Sequence, residues 1–326
     1  MMHMKKQLVP FWIWILLACA VLGVSSAGAL FQHVDEIPPL LRASWRLQLT
    51  AILLAPFALL QWKQADDDLK QMYKQKSSMK IIGLSGLFLA AHFGTWVASL
   101  DETSLTHSLL FVTSHPIIIV VGMIFLSKSI DSIDFPRRNE VIGAFIGFTG
   151  AALTLSSMGK QQGDHTVTLY GDALAFTGGI FVVGYIICGR ILRQWMPIFL
   201  YAFPVTLLGG VLLIPASYLL EPQFSELGIF GWADRQFLPW FLLLAAIAGF
   251  LGHTGLNTCL RYVSPLVVSV SVTLEPVLGT VIGWMFFDAG TPDGTTILGG
   301  LILLVGLLMV VVSQESEALD KTNNQK

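Results

Sequence analysis

Two ionisable side chains stand directly before prolines inside long apolar stretches: His115 before Pro116 and Glu275 before Pro276. A carboxylate and an imidazole at membrane depth can bind the polar groups of a small molecule, or share a proton and pass it on, and intramembrane ionisable groups are rare enough to mark such sites. Each proline removes a backbone donor and frees a carbonyl upstream, so a structural hydrogen bond to that carbonyl is the competing role for either side chain. His92 and His253 form a second pair, with Trp96 and Asn257 four residues further along the same helical faces. They either line a pathway, on alternate sides of its midpoint, or simply pack helices. Arg42 and Arg46 share one helical face. Arg42 can snorkel to the interface. Arg46 lies deeper, where its planar fork could clamp a carboxylate or phosphate, or pair with an acid such as Asp101. Tyr185 and Thr113 complete the polar candidates, and Trp12, Trp14, Trp62 and Trp240 read as interfacial anchors.

These residues recur in register. His92 and Gly94 match His253 and Gly255, and Ser104, Thr113 and Pro116 match Ser264, Thr273 and Pro276. Pro38, Ala43 and Pro56 match Pro197, Ala202 and Pro215, and Gly143 and Gly150 match Gly299 and Gly306. Ordered matches at a nearly constant offset are the mark of a duplicated unit. Residues 10–157 and 169–313 are therefore expected to be two equivalent five-helix halves, with 314–326 a disordered cytoplasmic tail. Pro56, Pro116, Pro215 and Pro276 are the expected kinks or hinges. Gly143, Gly147 and Gly150, and Gly249, Gly252 and Gly255, make small-residue stripes that let helices approach closely.

The elements that carry this pattern are membrane helices. The chain is 54% hydrophobic and 12% charged, against about 25% charged in a soluble globular protein. Ten apolar windows have spanning length, near 11–31, 40–62, 80–100, 105–127, 140–157, 169–189, 197–220, 237–260, 265–287 and 295–313. An odd number of spans per half sets the halves in opposite orientations. The expected fold is an all-α membrane protein with ten transmembrane helices in two inverted five-helix repeats. Lys and Arg alternate with the loops: Lys5, Lys6, Lys63, Lys70, Lys74, Lys76, Lys80, Lys128, Arg137, Arg138, Arg190, Arg193, Arg261, Lys321 and Lys326 fall on one side, and only Lys160 and Arg235 on the other. That bias predicts a multi-pass protein with both termini cytoplasmic, in a membrane the sequence does not identify. The first span is longer than a signal-peptide core, and removing it would leave nine spans and an unmatched repeat.

Several function classes are excluded by what the chain has no room for. The polar stretches 63–79 and 221–236 are too short for a soluble catalytic or nucleic-acid-binding module. No glycine group has the context of a phosphate loop. Cys19, Cys188 and Cys259 fall inside spans and read as packing residues, so neither disulfide nor metal is expected. No cofactor and no catalytic residue is expected.

Ten spans as five plus five, Arg42 soon after Pro38 and Pro39, the His115-Pro116 junction and the run Leu274, Glu275, Pro276, Val277 resemble the EamA-type branch of the drug/metabolite transporter superfamily. The resemblance covers residues 10 to 313. It implies a central cavity between the third, fourth, eighth and ninth helices, with the fifth and tenth at the periphery. Many members carry a glutamate soon after the fourth and ninth spans; here those places hold Lys128 with Ser129, and Asp288. The expected function is secondary transport of a small polar organic metabolite, amino-acid-like first, by alternating access with proton coupling or exchange. Glu275, His115, His92, His253, Arg46, Trp96, Asn257 and Tyr185 are the expected substrate or pathway residues. The alternatives are a nucleotide-sugar or phosphorylated-metabolite cargo, and a non-transporting membrane regulatory partner. The expected partners are the metabolite, the lipid bilayer and protons, with a homodimer compatible and no nucleic acid.

Overall fold

The computed structural model describes residues 9–103, 105–127, 135–158, 167–286 and 294–323. Ser104, Lys128, Ser129, Lys160 and Asp288 lie outside them, as do Lys5, Lys6 and Lys326. Every regular element among the described residues is helical. The main helices are α1 (Phe11–Ser25), α2 (Pro39–Gln64), α3 (Lys76–Glu102), α4 (Leu105–Val112), α5 (His115–Leu126), α6 (Arg138–Met158), α7 (Leu169–Arg193) and α8 (Ile198–Leu220). They continue with α9 (Leu238–Cys259), α10 (Pro265–Val272), α11 (Glu275–Phe286) and α12 (Gly294–Asn323). Seven stretches are long and apolar enough to cross a membrane: α2, α3, His107–Phe125, α7, α8, α9 and Gly294–Gln314. Phe11–Ser25 and Pro265–Leu278 are shorter apolar helices. The chain is an integral, multi-pass membrane protein. α12 runs on as helix to Asn323, across most of the stretch expected to be a disordered tail; residues Gln314–Thr322 hold no proline or glycine, so nothing local stops the helix.

The packing is that of two interlocked copies. α6 lies against α12 and α2 against α8, each pairing a helix with its own repeat equivalent. Other contacts come in matched sets: α3 with α7 and α9 with α1, α8 with α3 and α2 with α9, α4 with α7 and α10 with α1. Each half thus gives its first helix to the other half. Neither half closes its core alone.

Close approach at glycines makes these pairings possible. A Cβ on Gly150 would meet Leu303 N at 2.4 Å and Gly299 O at 2.6 Å, and one on Gly306 would meet Gly143 O at 2.5 Å. The four glycines matched in sequence are the points where α6 and α12 touch backbone to backbone. At such points no side chain can move aside to make room.

α2 and α8 are fastened reciprocally at both ends. Each begins after a proline, Pro38 or Pro197, and neither has a cap of its own. Orphan N–H groups at a helix start need acceptors, above all inside a membrane. Glu221, just past the end of α8, accepts from Leu40 N and Leu41 N at 2.6 and 3.0 Å. Gln61, near the end of α2, accepts from Phe199 N and Leu200 N at 2.9 and 3.3 Å. Ser44 Oγ donates to Gly210 O between them.

Pro116 and Pro276 behave alike. Each follows a two-residue turn, at 113–114 and 273–274, that divides a span into α4 plus α5 and α10 plus α11. Thr113 and Thr273 turn their hydroxyls back onto Leu109 O and Val270 O, both at 2.6 Å, so each hydroxyl is satisfied within its own helix end. Pro56 and Pro215, in contrast, lie inside unbroken helices. From Leu244 to His253, α9 winds as a π-helix, a form its counterpart α3 does not adopt. Replacing Gly150 with Ala should destabilise the protein by about 1–3 kcal/mol through overpacking, whereas Gly122→Ala, where a Cβ meets nothing within 4 Å, should not. Thermal melting of the purified variants in detergent compares them.

Candidate functional site

The two helix breaks open the centre of the bundle. Broken spans cannot fill the space that straight ones would, and their polar first residues turn inward. His115 and Glu275 are the first residues of α5 and α11. Together with Arg46 of α2, His92 and Trp96 of α3, Tyr185 of α7, and His253 and Asn257 of α9, they line one cavity. All eight residues singled out in the sequence therefore meet in one place. α6 and α12 contribute nothing to its wall. Its volume is about 60 Å³, room for a few waters at roughly 15 Å³ each and far below the roughly 300 Å³ or more of a pocket that envelops a drug-sized ligand. The centre is closed around its polar groups.

His92 and His253 do not lie on alternate sides of the centre, as their opposite helix directions suggested. Their ring centroids are 6.5 Å apart, both facing the same cavity. Each lies within a span, on the side its helix turns to the cavity. His92 Nδ1 donates to Gly178 O at 2.9 Å, and its ring stacks on Trp96 at 6.0 Å. His115 Nδ1 shares a 2.6 Å hydrogen bond with Ser269 Oγ of the other half. Asn257 Nδ2 donates to Tyr185 Oη and to His253 O, and its Oδ1 is turned toward Gly189.

The two arginines have separate fates. Arg42 does not snorkel: it is 1% exposed and pairs with Asp101 at 2.6 Å, with a second bond to Phe31 O. Asp101, offered above as a partner for Arg46, ends α3 at the level of Arg42 and is taken there. Arg46 is also 1% exposed, yet its Nε and Nη1 have no hydrogen-bond partner and it makes no ion pair among the described residues. Its Cζ instead lies 4.3 Å from the centroid of Phe93 and 5.5 Å from that of Phe31. A cation on a ring face gains about 2 kcal/mol when desolvated, while burying an ion costs several. The balance is unfavourable until an anion arrives.

Glu275 is the acid on the same wall. Its side chain is 8% exposed and makes no hydrogen bond or ion pair among the described residues. The first-turn position favours its carboxylate, since the N-terminal end of a helix is the positive end. It is near enough to Arg46 for their fields to interact, but the two are not joined. Trp96 Nε1 is a third buried group without a partner. The cavity therefore presents unsatisfied donors on Arg46 and Trp96, an acid on Glu275, and apolar wall from residues such as Val112, Val182, Ile186, Val268 and Val272. Phe31, Phe93 and Ser269 hold this arrangement and escape a reading by residue type, because their roles rest on proximity across helices. The only signal for Phe93 was its place beside His92.

Polar contacts lie toward both ends of the bundle. At one end Asp172 receives Thr103 Oγ1 at 2.9 Å and lies 3.0 Å from His107 Nδ1, close to the Arg42–Asp101 pair. At the other, Arg190 and Arg193 donate to carbonyls of Leu260, Val263 and Asn257 around the turn that follows α9.

A family model described as the EamA-like transporter family matches residues 11–156 and again 169–312, the two halves seen in the packing. Among curated proteins none matches the sequence significantly. A solved crystal structure superposes with a TM-score of 0.71 over 94% of this chain and 98% of its own, at 17% identity, a likeness of fold alone. If Arg46 is a charge held ready for an absent anion, Arg46→Met should raise the melting temperature of the empty protein by several degrees while abolishing ligand-induced stabilisation, a trade seen where sites carry strain. Differential scanning fluorimetry with and without ligand measures both.

Proposed function

We propose a cargo and a mechanism for a chain that, by a match spanning both its halves, belongs to the EamA-like transporter family and is a membrane transporter of the drug/metabolite superfamily. The cargo is a small zwitterionic organic metabolite with an apolar side chain, of the amino-acid type, moved by alternating access. The single observation that supports it is the pair of unjoined opposite charges, Arg46 and Glu275, on one small closed cavity. A zwitterion brings a carboxylate to Arg46 and Trp96 and an ammonium to Glu275, and leaves the site neutral overall. It satisfies both buried charges at once, which a neutral or singly charged molecule cannot do. A polyphosphate or nucleotide sugar would call for more cationic groups than one arginine in the cavity.

In the membrane the chain forms ten spans as five plus five, with both termini on the cytoplasmic side where the Lys and Arg residues gather. The helix breaks before His115 and Glu275 let the inner halves of two spans shift while the close-packed pairs α2 with α8 and α6 with α12 stay fixed. Opening the Asp172 and Asp101 contacts admits cargo from one side; releasing Arg190 and Arg193 discharges it to the other. Glu275 is the group that takes a proton when the cargo's ammonium leaves, which couples transport to a pH gradient.

Purified protein in proteoliposomes should take up radiolabelled zwitterions down an imposed gradient. Glu275→Gln should lose at least tenfold of the pH-gradient-driven component. Full retention in Glu275→Gln removes the proton role, and zero flux for every cargo with folded protein favours a non-transporting partner.

A further inference from the structure

Arg46 is held by rings where an acid would be the ordinary counterpart. Phe93, 1% exposed, lies under the guanidinium with 4.3 Å between Cζ and ring centroid, and Phe31 flanks it at 5.5 Å. A ring face attracts a guanidinium from above or below, perpendicular to the plane in which the N–H groups point. Stacking therefore fixes the group without occupying its donors, and Nε and Nη1 remain unpartnered. Arg42, one turn away, differs in its ion pair: Asp101 takes Nη2 and Phe31 O takes Nη1, leaving Nε alone unpartnered, and it does not line the cavity. Phe93 is itself wedged, with His253 at 5.2 Å and His92 at 4.9 Å, so its ring cannot swing out from beneath the charge.

We propose that Phe93 is the positioning residue that makes this site selective for a carboxylate: its ring face holds Arg46 in place and leaves the in-plane N–H donors open to the incoming oxyanion. The identity of the carboxylate's owner rests on the transport function proposed above; the role of Phe93 does not. An acid at position 93 would do the opposite, pairing with Arg46 and closing the seat from within.

Phe93→Glu and Phe93→Gln, nearly identical in shape, test this without any ligand. The Glu variant should melt several degrees above the Gln variant, and the difference should vanish when both also carry Arg46→Met, as a double-mutant cycle requires. Equal melting, or Gln above Glu with Arg46 present, overturns the proposal. If neither variant folds, Phe93→Leu serves, with propionate against propionamide as the probe. Propionate but not propionamide should stabilise the unaltered protein, and Phe93→Leu should need about tenfold more propionate for the same shift. A Phe93→Leu response equal to that of the unaltered protein overturns the proposal. Absent uptake of every zwitterion, with the Glu and Gln difference intact, would fail the transport function and leave the role of Phe93 standing.

Discussion

A guanidinium without a counterion at the middle of an apolar bundle is the constraint around which this protein is organised. Arg46 is all but sealed from the surface, and two phenylalanine rings offset only part of the resulting desolvation cost. Such a charge persists only if the rest of the fold is stable enough to carry it. The stability comes from elsewhere: from backbone contacts at Gly143, Gly150, Gly299 and Gly306, and from the reciprocal capping of α2 and α8 by Glu221 and Gln61. Close-packed helix pairs support a polar, closed centre.

The duplication explains why the centre is polar at all. Each copy brings one broken span, one histidine on its third helix and one proline at equivalent depth, and the pseudo-two-fold axis turns them toward each other. Symmetry alone would yield a site with paired, identical groups. What departs from it is chemically decisive: His115 faces the place where its counterpart is Glu275, Arg46 corresponds to Val205, and only one member of the end caps is an acid. The π-helical stretch before His253 is a further departure, in the helix that carries both His253 and Asn257.

Much of this was legible in the residues. Apolar runs, the alternation of basic loops and the spaced matches of proline, glycine and histidine carry the helical class and the two halves, because spanning length and period are local properties of a chain. Eight side chains singled out by type and depth do line one cavity. Less legible was the exchange of first helices between halves, since a sequence repeat does not say which copy a helix packs against. The positions of His92 and His253 on a single level, and the capture of Asp101 by Arg42, depend equally on how helices cross.

Residue order alone dictates an all-helical, membrane-embedded, duplicated chain with prolines breaking two matched spans, because burial in lipid forces every backbone group to be satisfied within a helix and leaves its period and length in plain view. Which arginine is neutralised and which has no counterion is settled by helix packing. That choice turns on a few ångströms between Asp101, Arg42, Phe93 and Arg46, distances set by how two helices, α2 and α3, pack against each other and written in neither of them alone.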